Sequence, residues 1–127
     1  TMATQVKPDY EKAYNSLGEA YMTDGQVENA ITAFEMAISI DDKYDEAYYR
    51  LAAANNKTGR YQEALEAAQN CLKVTKKFKG AANFEAGTAA KKLGRLDEAK
   101  KYFEASASDR QWRKSAEYEL DLLSKGL

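Results

Sequence analysis

Three hexads with a common plan recur along the chain. They are Gly25-Gln26-Val27-Glu28-Asn29-Ala30, Gly59-Arg60-Tyr61-Gln62-Glu63-Ala64 and Gly94-Arg95-Leu96-Asp97-Glu98-Ala99, offset by 34 and then 35 residues. A period of this length constrains the fold more tightly than any composition does. Each unit is too small to bury its own apolar face, so successive units must stack on one another to share a core. The glycine at the head of each hexad reads as the residue that ends one helix at positive φ and turns the chain into the next. The alanine that closes the hexad is small because two antiparallel helices approach closely there. A first helix should therefore begin roughly fourteen residues before each glycine, and a second should follow it.

Composition fits this plan. Alanine, glutamate, lysine and leucine are abundant, and all four favour helices. The single proline, Pro8, precedes the periodic part, and no run of alternating β-branched residues suggests a strand. The expected class is all-α, in one domain spanning residues 1–127. The chain holds one cysteine and no histidine. A disulfide framework, a Cys/His zinc site and histidine-dependent acid–base catalysis are thus not expected. No phosphate-cradling glycine motif occurs either, so the expectation is a non-enzyme without cofactor or metal. Asp41, Asp42, Asp45 and Glu46 fail the calcium-loop pattern at Lys43 and Glu46 and read as helix caps and first-turn acids. Cys71 reads as a small buried residue, and the Asn56-Lys57-Thr58 triplet as a chance glycosylation match.

Other positions repeat with the same period. Tyr14, Leu17, Gly18 and Tyr21 precede the first turn, and Ala30, Phe34 and Ala37 follow it. The corresponding residues of the second unit are Tyr48, Leu51, Ala52, Asn55, Ala64, Ala68 and Cys71; those of the third include Asn83, Ala86, Gly87, Ala90, Ala99 and Phe103. This spacing resembles the tetratricopeptide repeat, W-x2-L-G-x2-Y…A-x3-F…P over 34 residues. Tyr14 stands in the Trp slot and Asp42 in the Pro slot. The units run over residues 11–44, 45–79 and 80–113, the second with one extra residue near Lys76–Lys79. Residues 110–125, with Trp112, Ala116, Leu120 and Leu123 on one stripe, read as a capping helix in the place of a fourth first helix. Pro8 reads as a helix-start proline and also falls where a preceding repeat would carry its proline. No signal-peptide pattern follows the Thr1-Met2 opening.

The resemblance implies a right-handed superhelical solenoid of antiparallel helix pairs, about seven helices in all, that binds protein. Its first helices would line a concave groove for an extended or helical peptide. Mapping the groove-facing slots by residue names Asn15, Glu19 and Met22 from the first unit. The second contributes Tyr49, Arg50, Ala53 and Asn56, the third Phe84, Thr88 and Lys91, and the capping helix Tyr118 and Leu122. Glu46, Ala81, Glu85 and Glu119 share those slots. Tyr49, Phe84 and Tyr118 occupy one slot of successive units, which suggests a line of aromatics with Arg50 as its carboxylate-gripping cation. A subset of the family clamps the C-terminal carboxylates of chaperone tails. The matching positions here, Asn15, Glu19, Arg50, Ala81 and Glu85, carry none of the clamp residues, so that role is not expected.

Charge narrows the partners further. The net charge is −1, which gives no overall pull toward nucleic acid, and no apolar run is long enough to insert in a membrane. The distribution is uneven: residues 1–42 sum to −6 and residues 43–101 to +6. Lys73, Lys76, Lys77 and Lys79 form a short basic run that reads as a solvated loop. The expected function is a scaffold or adaptor that takes a protein or peptide in its groove. Self-association through the repeat ends or the groove is the rival reading. The reading places the chain in the cytoplasm and leaves the periplasm open, since one buried cysteine suits both.

Overall fold

The structure, a computed structural model, describes residues 9–127; Pro8 and the Thr1-Met2 opening lie outside them. Seven helices follow one another, with no strand among the described residues: α1 (Tyr10–Thr23), α2 (Val27–Ile40), α3 (Asp45–Lys57), α4 (Tyr61–Val74), α5 (Lys79–Lys92), α6 (Leu96–Ala107) and α7 (Arg113–Ser124). Helices α1 and α2, α3 and α4, and α5 and α6 form antiparallel pairs, and α7 packs on α6.

The turn inside each pair is the same device three times. Gly25, Gly59 and Gly94 sit at φ of 80°, 78° and 80°. The residue after each glycine sends its N–H back to a carbonyl five residues upstream: Gln26 to Tyr21, Arg60 to Asn55 and Arg95 to Ala90, at 2.8–2.9 Å. The glycine N–H bonds Met22, Asn56 and Lys91 in turn. Two orphan carbonyls of each first helix are thereby satisfied at a backbone geometry that costs glycine little. Helix α7 ends with the same turn at Gly126, whose φ is 73°.

Between pairs the chain uses side chains. Asp41 accepts the N–H of Lys43 at 3.0 Å in a local turn, and the Tyr48 hydroxyl bonds the Asp42 carbonyl at 2.8 Å. Asp45 and Glu46 do occupy the first turn of α3, where the helix dipole favours acids, but no side chain caps that helix. The acids expected as caps therefore shape the turn instead.

The core lies between the two layers. Ala30, Ala64 and Ala99 are fully buried, as close approach within each pair requires. Phe34 and Phe103 are fully buried too, and each meets a glycine of the facing helix. A Cβ at Gly87 would lie 2.7 Å from the Phe103 ring, and one at Gly18 would run into Phe34. Cys71 and Ser106, one repeat apart, each donate to a carbonyl near the start of the preceding helix, Asp45 and Gly80. Burial pushes the Cys71 thiol up to about 12, which makes it inert at neutral pH.

First helices of neighbouring pairs touch, α1 with α3 and α3 with α5. The backbones of α2 and α4, and of α4 and α6, lie farther apart; α4 and α6 meet through side chains, Gln69 Nε2 donating to the Tyr102 hydroxyl at 3.0 Å. By backbone proximity the first helices are the more closely spaced layer.

Candidate functional site: the face of the first helices

The groove-facing slots do not present free charges. They cross-link neighbouring first helices. Arg50 on α3 reaches α1, its Nη2 2.7 Å from Glu19 Oε1, while its Nε lies 3.0 Å from Glu46 Oε2 one turn away. Asn15 on α1 donates its amide to the same Glu46 oxygen at 3.1 Å. Burial raises Glu19 above the ordinary carboxylate range; Arg50 pulls it back and the nearby Glu46 pushes it up again. Burial also opposes ionisation of Glu46, but hydrogen bonds from Arg50 and Asn15 outweigh it and hold that carboxyl below its ordinary value. One guanidinium thus serves two carboxylates.

The next junctions repeat the theme. Asn56 on α3 donates to both the backbone carbonyl and the carboxylate of Glu85 on α5, at 3.0 and 2.9 Å. Burial holds the Glu85 carboxyl above its usual value, partly offset by that amide. Lys91 on α5 pairs with Glu119 on α7 at 3.1 Å. Arg50 is therefore paired, through Nη2 and Nε, with two acids of its own chain, so an incoming carboxylate would meet a partly neutralised guanidinium rather than the free cation expected. Ala81 is buried against the core, and the Thr88 hydroxyl bonds back to the Phe84 carbonyl at 3.0 Å. Met22 packs on the main core cluster. Ala53 and Leu122 are half-buried.

The expected line of three aromatics is also revised. No ring pair joins Tyr49, Phe84 and Tyr118 to one another among the described residues. Tyr49 stacks on Phe78, with centroids 5.4 Å apart and planes at 19°. Phe84 turns inward, edge-on to Phe103 at 5.4 Å and tilted on Trp112 at 5.1 Å. Tyr118 is 63% exposed. It borders an open pocket of about 390 Å³ with Phe84, Lys114, Ser115 and Glu119. One stacked aromatic platform results, at Tyr49–Phe78, and a separate open pocket is bordered by Phe84 and Tyr118.

Sequence reasoning missed Phe78. It lies in the connection that carries the extra residue of the second repeat, outside every periodic slot. The change of offset from 34 to 35 was the one signal available.

Residues 11–44, 45–78 and 81–108 match the model of the tetratricopeptide repeat. These segments make up more than half of the chain, and the protein belongs to that family. No curated protein sequence matches it. Among solved structures, MamA is similar at 25% identity and a TM-score of 0.86, over 94% of this chain and 70% of that one. The first repeat domain of Spaghetti (RPAP3), bound to an HSP90 peptide, is similar at 20% identity and a TM-score of 0.86, over 95% and 98%. The translocator chaperone SycD of Yersinia enterocolitica type III secretion is similar at 16% identity and a TM-score of 0.84, over 97% and 98%. Repeats of this family are in general non-enzymatic modules for protein–protein interaction. No helix among the described residues is long and apolar enough to cross a membrane.

Proposed function

We propose that the face of the first helices binds a peptide or protein segment, and that the chain works as a scaffold or adaptor. The carrying observation is the Tyr49–Phe78 stack on that face together with Tyr118, well exposed beside an open pocket. Rigid aromatic surface in a shallow groove is what protein recognition uses. The chaperone-tail clamp remains disfavoured. Glu19 and Glu85 stand in two of its positions, Arg50 is partly neutralised, and Ala81 is buried.

The test is selection from a phage-displayed random dodecapeptide library. The chain should enrich peptides, and Tyr49→Ala with Tyr118→Ala should weaken their binding about 30-fold, the cost of roughly 2 kcal/mol at an aromatic anchor. Both residues avoid the Phe84 contacts that hold α5 to α6, so circular dichroism should remain that of a folded helical chain. Binding that survives this pair but fails on Lys100→Ala with Lys101→Ala would move the site to α6.

A second reading has its own observation. Leu17, Met36 and Ile40 are 42–47% exposed on the first repeat. At the other end Leu96, 55% exposed, borders a groove with Leu120 and Leu123 between α6 and α7. Apolar surface at both ends suits stacking of copies end to end. Sedimentation that shifts with concentration in the wild type, and not in Leu96→Lys, would support it.

A further inference from the structure

Arg50 and Lys91, the cations in the groove slots, are answered from within the chain, and this directs attention to charges that are not. Lys73, Lys76, Lys77 and Lys79 are all exposed, and none has an ion-pair partner among the described residues. They sit within seven residues, around the connection from α4 to α5. That connection is not a loose loop. Thr75 is buried; its hydroxyl donates to Asp45 on α3 at 2.8 Å and accepts the N–H of Phe78 at 2.9 Å. Phe78 is thereby seated against Tyr49, with Lys77 Nζ 5.2 Å from its ring centroid.

We infer that the Tyr49–Phe78 stack and the lysines at 76, 77 and 79 form a docking site for an acidic peptide segment, with an aromatic or apolar anchor on the rings and carboxylates on the lysines. The inference rests on the proposed peptide-binding function and names the partner's chemistry. Three arguments favour it. The lysines have no ion-pair partner among the described residues, so a bound carboxylate gains them without breaking a salt bridge. The connection is held by hydrogen bonds at the buried Thr75, so little order must be created on binding. The basic patch is short, four lysines within seven residues, and the cations of the neighbouring groove face, Arg50 and Lys91, are already paired with Glu19, Glu46 and Glu119 and do not extend it. That arrangement suits a short acidic run, not a phosphate backbone, whose affinity needs many contacts.

The experiment uses the same dodecapeptide library and reads composition. Peptides selected by the wild type should be enriched in Asp and Glu around an aromatic or large apolar residue. Lys76→Glu with Lys77→Glu and Lys79→Glu should remove that enrichment, and should weaken a selected, fluorescein-labelled peptide by at least about tenfold, since like charges then face each other. Phe78→Ala should weaken it as well, and Lys100→Glu with Lys101→Glu should not. Peptides that lack acidic enrichment yet still depend on Tyr49 and Tyr118 would overturn this inference and leave the groove reading standing. No enrichment of any peptide would overturn both. A labelled oligouridylate 20-mer that binds more tightly than the selected peptide, and is lost in the triple variant, would assign the lysines to nucleic acid and overturn the peptide assignment.

Discussion

The outer two repeats and the middle one reach the same backbone with different distributions of volume. In the first and third repeats a glycine faces a fully buried phenylalanine, Gly18 with Phe34 and Gly87 with Phe103. The middle repeat has Ala52 and Ala68 in those slots, both fully buried. One side of the pair gives up a methyl where the other gains a ring. The middle repeat places its bulk elsewhere: Tyr49, Arg50 and Asn56 reach outward to Phe78, Glu19 and Glu85. Glycine with phenylalanine is a larger fill than two alanines, so the repeats share a backbone and a closed helix pair while the side-chain volume between the helices differs.

The largest effect should come from breaking the large half of an outer pair. Phe34→Ala should cost about 3–5 kcal/mol in denaturant unfolding, as a fully buried ring is lost and a cavity remains. Adding Gly18→Ala, which writes the middle repeat's pair into the first, should recover on the order of 1 kcal/mol. A double variant less stable than Phe34→Ala alone would refute the pairing.

A smaller effect should come from overfilling the middle repeat. Ala64 is fully buried at the closest approach of α3 and α4. Ala64→Leu should destabilise by roughly 1–3 kcal/mol, and an unchanged denaturation midpoint would show that the helices have room to spare.

The smallest effect concerns the middle repeat's outward reach. Glu85 has its pKa raised in the fold by burial, from an ordinary 4.5. A folded value above the unfolded one means that the folded chain keeps this proton longer. The contribution is full below about pH 4.5 and is lost as pH rises through the folded value. Glu85→Gln keeps an acceptor for Asn56 and removes the charge. It should stabilise the chain by about 1 kcal/mol or less at pH 7 and leave it unchanged near pH 4. Equal gains at both values would mean that the carboxylate's burial is not the cause.

Much of this molecule is legible in the residues alone, for local reasons. The turns at Gly25, Gly59 and Gly94 need positive φ, which a glycine at a fixed interval declares, and the buried Ala30, Ala64 and Ala99 follow from the same count. The groove slots could be enumerated from the period as well. What the side chains in those slots do could not. Arg50 carries the same formula whether it waits for a ligand or bridges Glu19 and Glu46, and Phe84 looks like Tyr49 until one ring turns onto Phe103 and Trp112 while the other stacks on Phe78. Those choices depend on which neighbour lies within a few ångströms across a helix junction. Spacing along the chain sets a residue's face, but charge pairing and ring contacts are settled only when two faces meet.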